Sequence, residues 1–337
     1  MECTVIIPVI EPNSLLTKIV LKTLEIDNNL EIIILYNNLS KLDKHLHNNR
    51  VKLIQTNEKN MSAKRNLGAK LAQTKYLAFL DSDAYPEKNW FINAKKLLEE
   101  DISLGIITGP ELSFPDQTFI ENTVGICNRS FLILGSHNFR KLISKSRFYP
   151  EASACNIIMK KDDYQMVGGM DPALYLGEDQ EFSHRFTKTS LKKIFFSKDV
   201  RIFHKDRGFK GYLIQRYARG LTAINLIEKL KSFFSDISIE NFIKQRFELF
   251  LPFLFIIFLV STPILLANKF LTILFFITLM FYLLIICIET LRLIKLKLIY
   301  FPTVFIFLII GSITPGFALF FKFFNLKMNI KKLYRNT

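Results

Sequence analysis

What this chain does not have narrows its class first. Its four cysteines, Cys3, Cys127, Cys155 and Cys287, stand far apart with no C-x-x-C spacing, which argues against a structural zinc site or a disulfide framework and for a reducing, cytosolic catalytic part. The chain opens on an acidic residue and a strand pattern instead of a basic segment followed by an apolar one, so no signal peptide is expected. No internal repeat or low-complexity linker interrupts it. No module interleaving basic and aromatic residues is present, so nucleic acid is not an expected partner despite a net charge of +15.

What the chain has in excess is apolar surface. Half of its residues are hydrophobic, 33 of them Phe, and the mean hydropathy is +0.22, which points to a membrane part. Three apolar segments carry it: Leu249 to Ala267, Phe270 to Ile288 and Leu298 to Phe321. The first two are each long enough to span the hydrocarbon core, and only Asn268-Lys269 separates them, which permits a tight hairpin with both ends cytosolic. The basic loop Arg292 to Lys297 agrees with that orientation. The third is interrupted by Gly311-Ser312 and Pro315-Gly316, and its exit is again basic. It is expected either to dip in and return as a broken helix pair or to cross as a straight span. From Glu289 to Thr337 there are eight Lys/Arg against one acid, a distribution that suits an anionic membrane surface. Ahead of these segments, Phe209 to Lys231 and Ile237 to Phe247 mix apolar and basic residues. They read as interfacial helices or as helices packed on the preceding domain with a solvated basic face.

The first two hundred residues alternate strand and helix patterns. Cys3 to Val9, Glu31 to Leu35, Val51 to Gln55, Tyr76 to Leu80 and Leu104 to Thr108 read as strands. Leu15 to Leu24, Ser62 to Ala72 and Pro86 to Glu99 read as helices. Ser153 to Met159 reads as a further strand, Asp162 to Val167 as a short helix, and Lys193 to Phe196 and Val200 to Phe203 as short strands. This order argues for an α/β domain with a parallel sheet covered on both faces. The looser stretch Glu111 to Pro150 is read as an insertion that can shape an acceptor pocket.

Chemistry concentrates at strand ends. The buried strand from Tyr76 ends in Asp81-Ser82-Asp83, two hard oxygen donors one residue apart at the sheet edge where ligands bind in such folds. Alone, this also fits a hydrogen-bonded turn. Lys64-Arg65-Asn66 near a helix start suits a nucleotide or its phosphates, or a solvated helix face. Gly177-Glu178-Asp179 opens a helix from Glu178 to Thr187 whose first turn carries three acids, which the helix dipole favours. His204 follows the last short strand.

In that order these features resemble the GT-A fold of family 2 glycosyltransferases, over about residues 3 to 220; SAKRNLGAKLAQTKYLAFLDSDAYPEKNW and VGGMDPALYLGEDQEFSHRF carry the likeness. The resemblance implies a nucleotide-sugar-binding domain over residues 1–208, then interfacial helices over 209–248, membrane segments within 249–324 and a basic cytosolic tail at 325–337. It implies Mg²⁺ or Mn²⁺ held by Asp83, with Asp81 and His204, and donor contacts from Pro8, Glu11, Asn38, Lys64, Arg65, Asp81 and Ser82. Asp179 matches the catalytic base and Glu178 a residue that orients it or binds the acceptor. Arg216 and Arg219 are expected to meet phosphates of donor or acceptor. There are departures. Leu35-Tyr36-Asn37-Asn38 lacks the acid relatives often carry for the nucleotide base. Asn60 replaces a common Gly, which it can do in a left-handed conformation. Gln215-Arg216-Tyr217-Ala218-Arg219-Gly220 only approximates the Q-x-x-R-W of processive synthases.

The expectation is a multi-pass cell-membrane enzyme with a cytoplasmic catalytic domain. It would transfer a sugar with inversion from a nucleotide sugar to an acceptor, lipid-linked (polyprenyl phosphate or diphosphate) or glycan, in surface glycan assembly, with membrane lipids as partners. The alternatives are a processive polysaccharide synthase subunit and a non-catalytic nucleotide- or sugar-binding membrane scaffold.

Overall fold

The computed structural model describes residues 1–38, 44–233 and 251–324; the expected interfacial helix Ile237 to Phe247 and the basic tail 325–337 lie outside the described residues. Two compact units result, one of Met1–Phe114 and Phe139–Lys205, the other of Pro115–Asn138 and the chain from Asp206 onward. Pro115–Asn138, which falls inside the expected 1–208 domain, thus groups with the apolar helices.

In the first unit, β1 (Cys3–Pro8), β2 (Leu30–Tyr36), β3 (Val51–Gln55), β4 (Tyr76–Phe79), β6 (Leu104–Thr108), β8 (Arg147–Phe148), β9 (Ile157–Lys160) and β10 (Lys193–Phe196) form an eight-stranded sheet in the order β3-β2-β1-β4-β9-β6-β10-β8. A smaller sheet, β5-β11-β7, joins Ala84–Pro86, Ile202–His204 and Glu111–Ser113. Helices α1 (Ser14–Ile26), α2 (Met61–Leu71), α3 (Trp90–Glu100), α6 (Lys161–Met166) and α7 (Glu178–Ser190) belong to this unit, while α4 (Phe119–Cys127) and α5 (Phe131–Leu134) belong to the second.

The alternation of side chains along each strand divides the core in two. Val5, Ile7, Ile32, Ile34 and Ala78 pack with Trp90 and Phe91 on one face, and Ile6, Ile33, Leu77 and Phe79 with Tyr164 and Phe182 on the other. Burying each of these large apolar side chains contributes roughly 1.5–3 kcal/mol. α2 lies close on the sheet because Gly68 has no Cβ to meet Ile6 and Leu35.

Two expectations change here. The sheet is mixed: β9 runs antiparallel to both β4 and β6, and β8 antiparallel to β10. An apolar run announces a buried strand but not its direction, which the returning connection sets. Pro86 does not open a helix either. It pairs with Ile202 at the end of β5, the Glu87 N–H donates to the Arg201 carbonyl at 2.9 Å, and α3 begins only at Trp90, after Asn89 in the left-handed region (φ 66°).

In the second unit α8 (Phe209–Phe233) is followed by α9 (Leu251–Val260), α10 (Thr262–Leu266), α11 (Lys269–Ile294) and α12 (Phe301–Phe323). Two helical stretches, Lys269–Ile294 and Leu298–Phe323, are long and apolar enough to cross a membrane. The expected span 249–267 is, in its described part, split between α9 and α10, where Pro263 stands at the start of the second piece and supplies no N–H to continue the first.

Of the two forms expected of the third segment, the continuous helix is found and the broken pair is not: α12 is one helix with Pro315 inside it. A proline leaves the carbonyl four residues earlier without its helical donor, here that of Gly311. Arg216 Nε donates to that oxygen at 2.8 Å, and the helix continues. Gly311 also leaves room for the Tyr212 ring, whose hydroxyl donates to the Phe307 carbonyl at 3.0 Å.

Candidate active site

The carboxyl end of β4 meets the smaller sheet. After Leu80 the chain turns, the Ala84 N–H donating to the Asp81 carbonyl at 3.1 Å, and enters β5. β11 runs antiparallel to β5 with His204 opposite Ala84, and the Lys205 N–H donates to the Asp83 carbonyl at 2.9 Å. The imidazole is therefore held beside both aspartates, its Nε2 at 3.4 Å from Asp83 Oδ1 and 4.0 Å from Asp81 Oδ2. His204 Nδ1 lies 3.0 Å from the Lys205 carbonyl, which only accepts, so Nδ1 carries the hydrogen. In the neutral ring Nε2 then turns a lone pair toward anionic oxygens, an arrangement that a divalent cation resolves. The donor set of two carboxylates and an imidazole fits Mg²⁺ or, better, Mn²⁺.

Among the described residues, the acidic, His and Cys ligand atoms that gather are those of Asp81, Cys155 and His204, all within 4.8 Å of one another. Cys155 did not stand out in the sequence. Burial, and then the Glu111 and Asp81 carboxylates, push its thiol well above the usual range, so it is no ligand for a hard ion in that form.

In α2 the side chains of Lys64, Arg65 and Asn66 go in three different directions, and Asn60 stands before the helix. Asn60 caps it with an extended backbone (φ −82°) and accepts from the Ala63 N–H, so no left-handed residue is needed there. Lys64 is buried, donates to the Val9 carbonyl and, at 2.8 Å, to Asn37 Oδ1, and burial lowers its pKa to about 8. It ties the ends of β1 and β2 together. Asn66 clamps the Gly168-Gly169 turn, accepting from the Met170 N–H at 2.9 Å and donating to the Met170 carbonyl at 2.8 Å.

Arg65 alone turns to the aspartates: Nη2 donates to Asp81 Oδ1 at 2.7 Å, and Nη1 lies 3.6 Å from Glu178 Oε1. It is 3% exposed, and its Nε and Nη1 have no hydrogen-bond partner among the described residues. Burial works against its charge, but Asp81 and Glu178 outweigh it and raise its pKa.

Gly177 takes the left-handed conformation (φ 79°) that aims the first turn of α7 and its acids inward. Burial, then the neighbouring Asp179, raises the Glu178 pKa to about 7. Asp179 is also raised, by burial first, against the pull of Arg140. Its Oδ1 accepts from the Gln180 N–H at 2.9 Å. Glu111 also reaches this region. Burial opposes its charge, but Lys141, 3.0 Å away, and Arg140 bring its pKa down to about 2, and its Oε1 has no hydrogen-bond partner among the described residues.

Of the other expected donor contacts, Pro8 is the buried end of β1, Ser82 sits half-buried between the aspartates, and Glu11 and Asn38 are exposed just beyond β1 and β2. Arg216 and Arg219 belong to the other unit. Arg216 is buried and donates to the Gly311 and Ile133 carbonyls, and Arg219 donates to the Leu134 carbonyl at 2.7 Å, so both brace helices there.

Residues 4–165, which hold the strands that end at Asp81 and the Arg65 helix, match the family model of glycosyl transferase family 2. The chain carries a family 2 glycosyltransferase domain. Its mixed sheet with helices on both faces is a GT-A-like framework. No curated protein matches the sequence. The crystal structure of S. aureus TarS is similar over 67% of this chain and 40% of that one, at 14% identity and a TM-score of 0.45. The glycosyltransferase chain thus spans less than half of that protein's length.

Proposed function

We propose that this glycosyltransferase moves a sugar from a nucleotide-sugar donor to a lipid-linked acceptor, with inversion at the anomeric carbon, at the cytosolic face of a membrane. The observation that carries the reading is the buried Arg65 guanidinium between Asp81 and Glu178, whose Nε and Nη1 have no hydrogen-bond partner among the described residues. A buried cation with donors to spare suits a diphosphate, and an aspartate pair with an imidazole stands on one side of it and an acid pair of raised pKa on the other.

Asp83, Asp81 and His204 would hold Mg²⁺ or Mn²⁺, which when bound neutralises charge on the leaving diphosphate. Arg65 turns its Nε and Nη1 donors to the same phosphates. Pro8, Glu11, Asn38 and Ser82, at the strand ends, border the nucleoside. Asp179 takes the proton of the acceptor hydroxyl as that oxygen attacks, and its raised pKa makes it a stronger base for the purpose. Glu178 beside it keeps Arg65 in position. Attack on the face opposite the leaving group inverts the anomeric centre.

Two helical stretches able to cross a membrane support the lipid-linked acceptor. A cavity of about 430 Å³ in the same unit, lined by Phe131, Leu132, Ile285 and Ile288 with Asn138 and Arg292 among its polar residues, supports it further. The test is incubation of the purified protein with polyprenyl phosphate and a panel of labelled nucleotide sugars, followed by separation of lipid products. A product that disappears with chelator and in Asp83→Ala is expected; water-soluble product alone, or none with any donor, overturns the reading.

A further inference from the structure

The antiparallel pairing of β4 with β9 matches Phe79 with Ile157. Beyond that pair both chains turn, the Ala84 N–H donating to the Asp81 carbonyl at 3.1 Å and the Asn156 N–H to the Ser153 carbonyl at 2.9 Å, and the two turns carry Asp81 and Cys155 side by side. β11 brings His204 to the same point from the other sheet. The three ligand atoms lie within 4.8 Å of one another, close enough for one ion to draw all three in.

The segment is firmly held. Asn156, fully buried, accepts from Trp90 Nε1 at 2.8 Å and donates to the Val200 carbonyl at 3.0 Å. Asp81 divides its oxygens: Oδ1 takes the Arg65 bond, which leaves Oδ2 on the His204 side.

We propose that Asp81, Cys155 and His204 form a three-ligand site for a thiophilic divalent cation, Zn²⁺ in the first instance, that overlaps the hard-cation site and keeps Mg²⁺ or Mn²⁺ out when filled. Sulfur, imidazole and one carboxylate are a zinc donor set with a fourth position left for water, whereas a hard ion uses the carboxylates and gains nothing from the thiol. On binding, the sulfur–zinc bond replaces the S–H bond and the proton passes to solvent. Among divalent ions of the first row Zn²⁺ binds such ligands far more tightly than Mn²⁺, so small amounts of it would displace the working ion. The inference shares Asp81 and His204 with the proposed donor site, but not its dependence on sugar transfer.

The test uses the full chain in detergent, wild type and Cys155→Ser, with metals alone. Co²⁺ substituted for Zn²⁺ should give the near-ultraviolet thiolate-to-metal band in the wild type and lose it in Cys155→Ser. Zn²⁺ affinity by calorimetry should fall at least about tenfold in the variant, while Mn²⁺ binding, followed by its electron paramagnetic resonance signal, is retained. Absence of the Co²⁺ band, its persistence in Cys155→Ser, or equal Zn²⁺ affinity in the two proteins overturns the inference. A wild type that shows the band but binds no Mn²⁺ leaves the inference standing and removes the hard-ion part of the proposed function.

Discussion

Arg65 Nη2 stands 2.7 Å from Asp81 Oδ1, a charged bond made from the first turns of α2 to the residue just past the end of β4. The fork geometry lets one guanidinium hold Asp81 and still approach Glu178. A lysine keeps the charge but meets only one of these partners at a time. Arg65→Lys should therefore lower kcat/KM about 10- to 100-fold, the worth of a charged hydrogen bond of roughly 1.5–3 kcal/mol, with most of the effect in the KM of the nucleotide sugar. Steady-state kinetics at varied donor concentration checks this.

Asp179 is assigned the acceptor's proton. Asp179→Asn should reduce kcat by about 10²- to 10⁴-fold, the usual worth of a general base, while the donor still binds. Calorimetric titration with a nucleotide sugar alongside the rate measurement separates the two effects, and a variant that folds and turns over normally would remove the assignment.

The acid pair sets the pH dependence. A base must be ionised, so the rate should rise with pH through the Asp179 pKa, which burial holds above the ordinary carboxylate range. The Asp179 charge is one of the causes that hold Glu178 protonated, so Asp179 ionises first and Glu178→Gln should leave the rising limb in place. Stability runs the other way. The folded Glu178 keeps its proton between its ordinary 4.5 and about 7 while the unfolded chain gives it up, so folding is weakened as pH rises through that window. In Glu178→Gln that decline in melting temperature should flatten.

Arg216 and Pro315 should prove coupled. Arg216→Leu leaves the Gly311 carbonyl without a donor and should cost about 1–3 kcal/mol, read as a lower melting temperature in detergent. In a Pro315→Ala background the helix supplies its own N–H to that carbonyl, so the same change should cost less. A double-mutant cycle with zero coupling would show that Arg216 does not carry α12 past the proline.

Much of the fold was legible because buried strands write themselves as apolar runs. Leu104–Thr108 and Val51–Gln55 match the sequence reading residue for residue, and α7 opens at Glu178 as its three first-turn acids indicate. Strand direction was not legible, since the residues of Ile157–Lys160 read alike in either sense. At the candidate site, Asp81, Asp83, Arg65 and His204 converge from motifs that stand in order along the chain. What Lys64 and Arg216 meet is not legible in sequence, since a cation's partner leaves no local pattern, and both donate to backbone carbonyls. Glu111 and Cys155 carried no local pattern at all, and only the folded chain brings them to the site.

The reversed strand β9 begins at a turn that carries the sulfur. Phe79 faces Ile157, and just ahead of that pair the Asn156 N–H donates to the Ser153 carbonyl at 2.9 Å, so Cys155 stands on a turn and not on the strand. The apolar pairing from Ile157 to Lys160 fixes the strand, while the length of the turn fixes where the sulfur lies. An inserted or deleted residue between Ser153 and Asn156 would leave that pairing intact and move the thiol away from Asp81. The thiol of the proposed ion site is thus open to change by indels as well as by substitution.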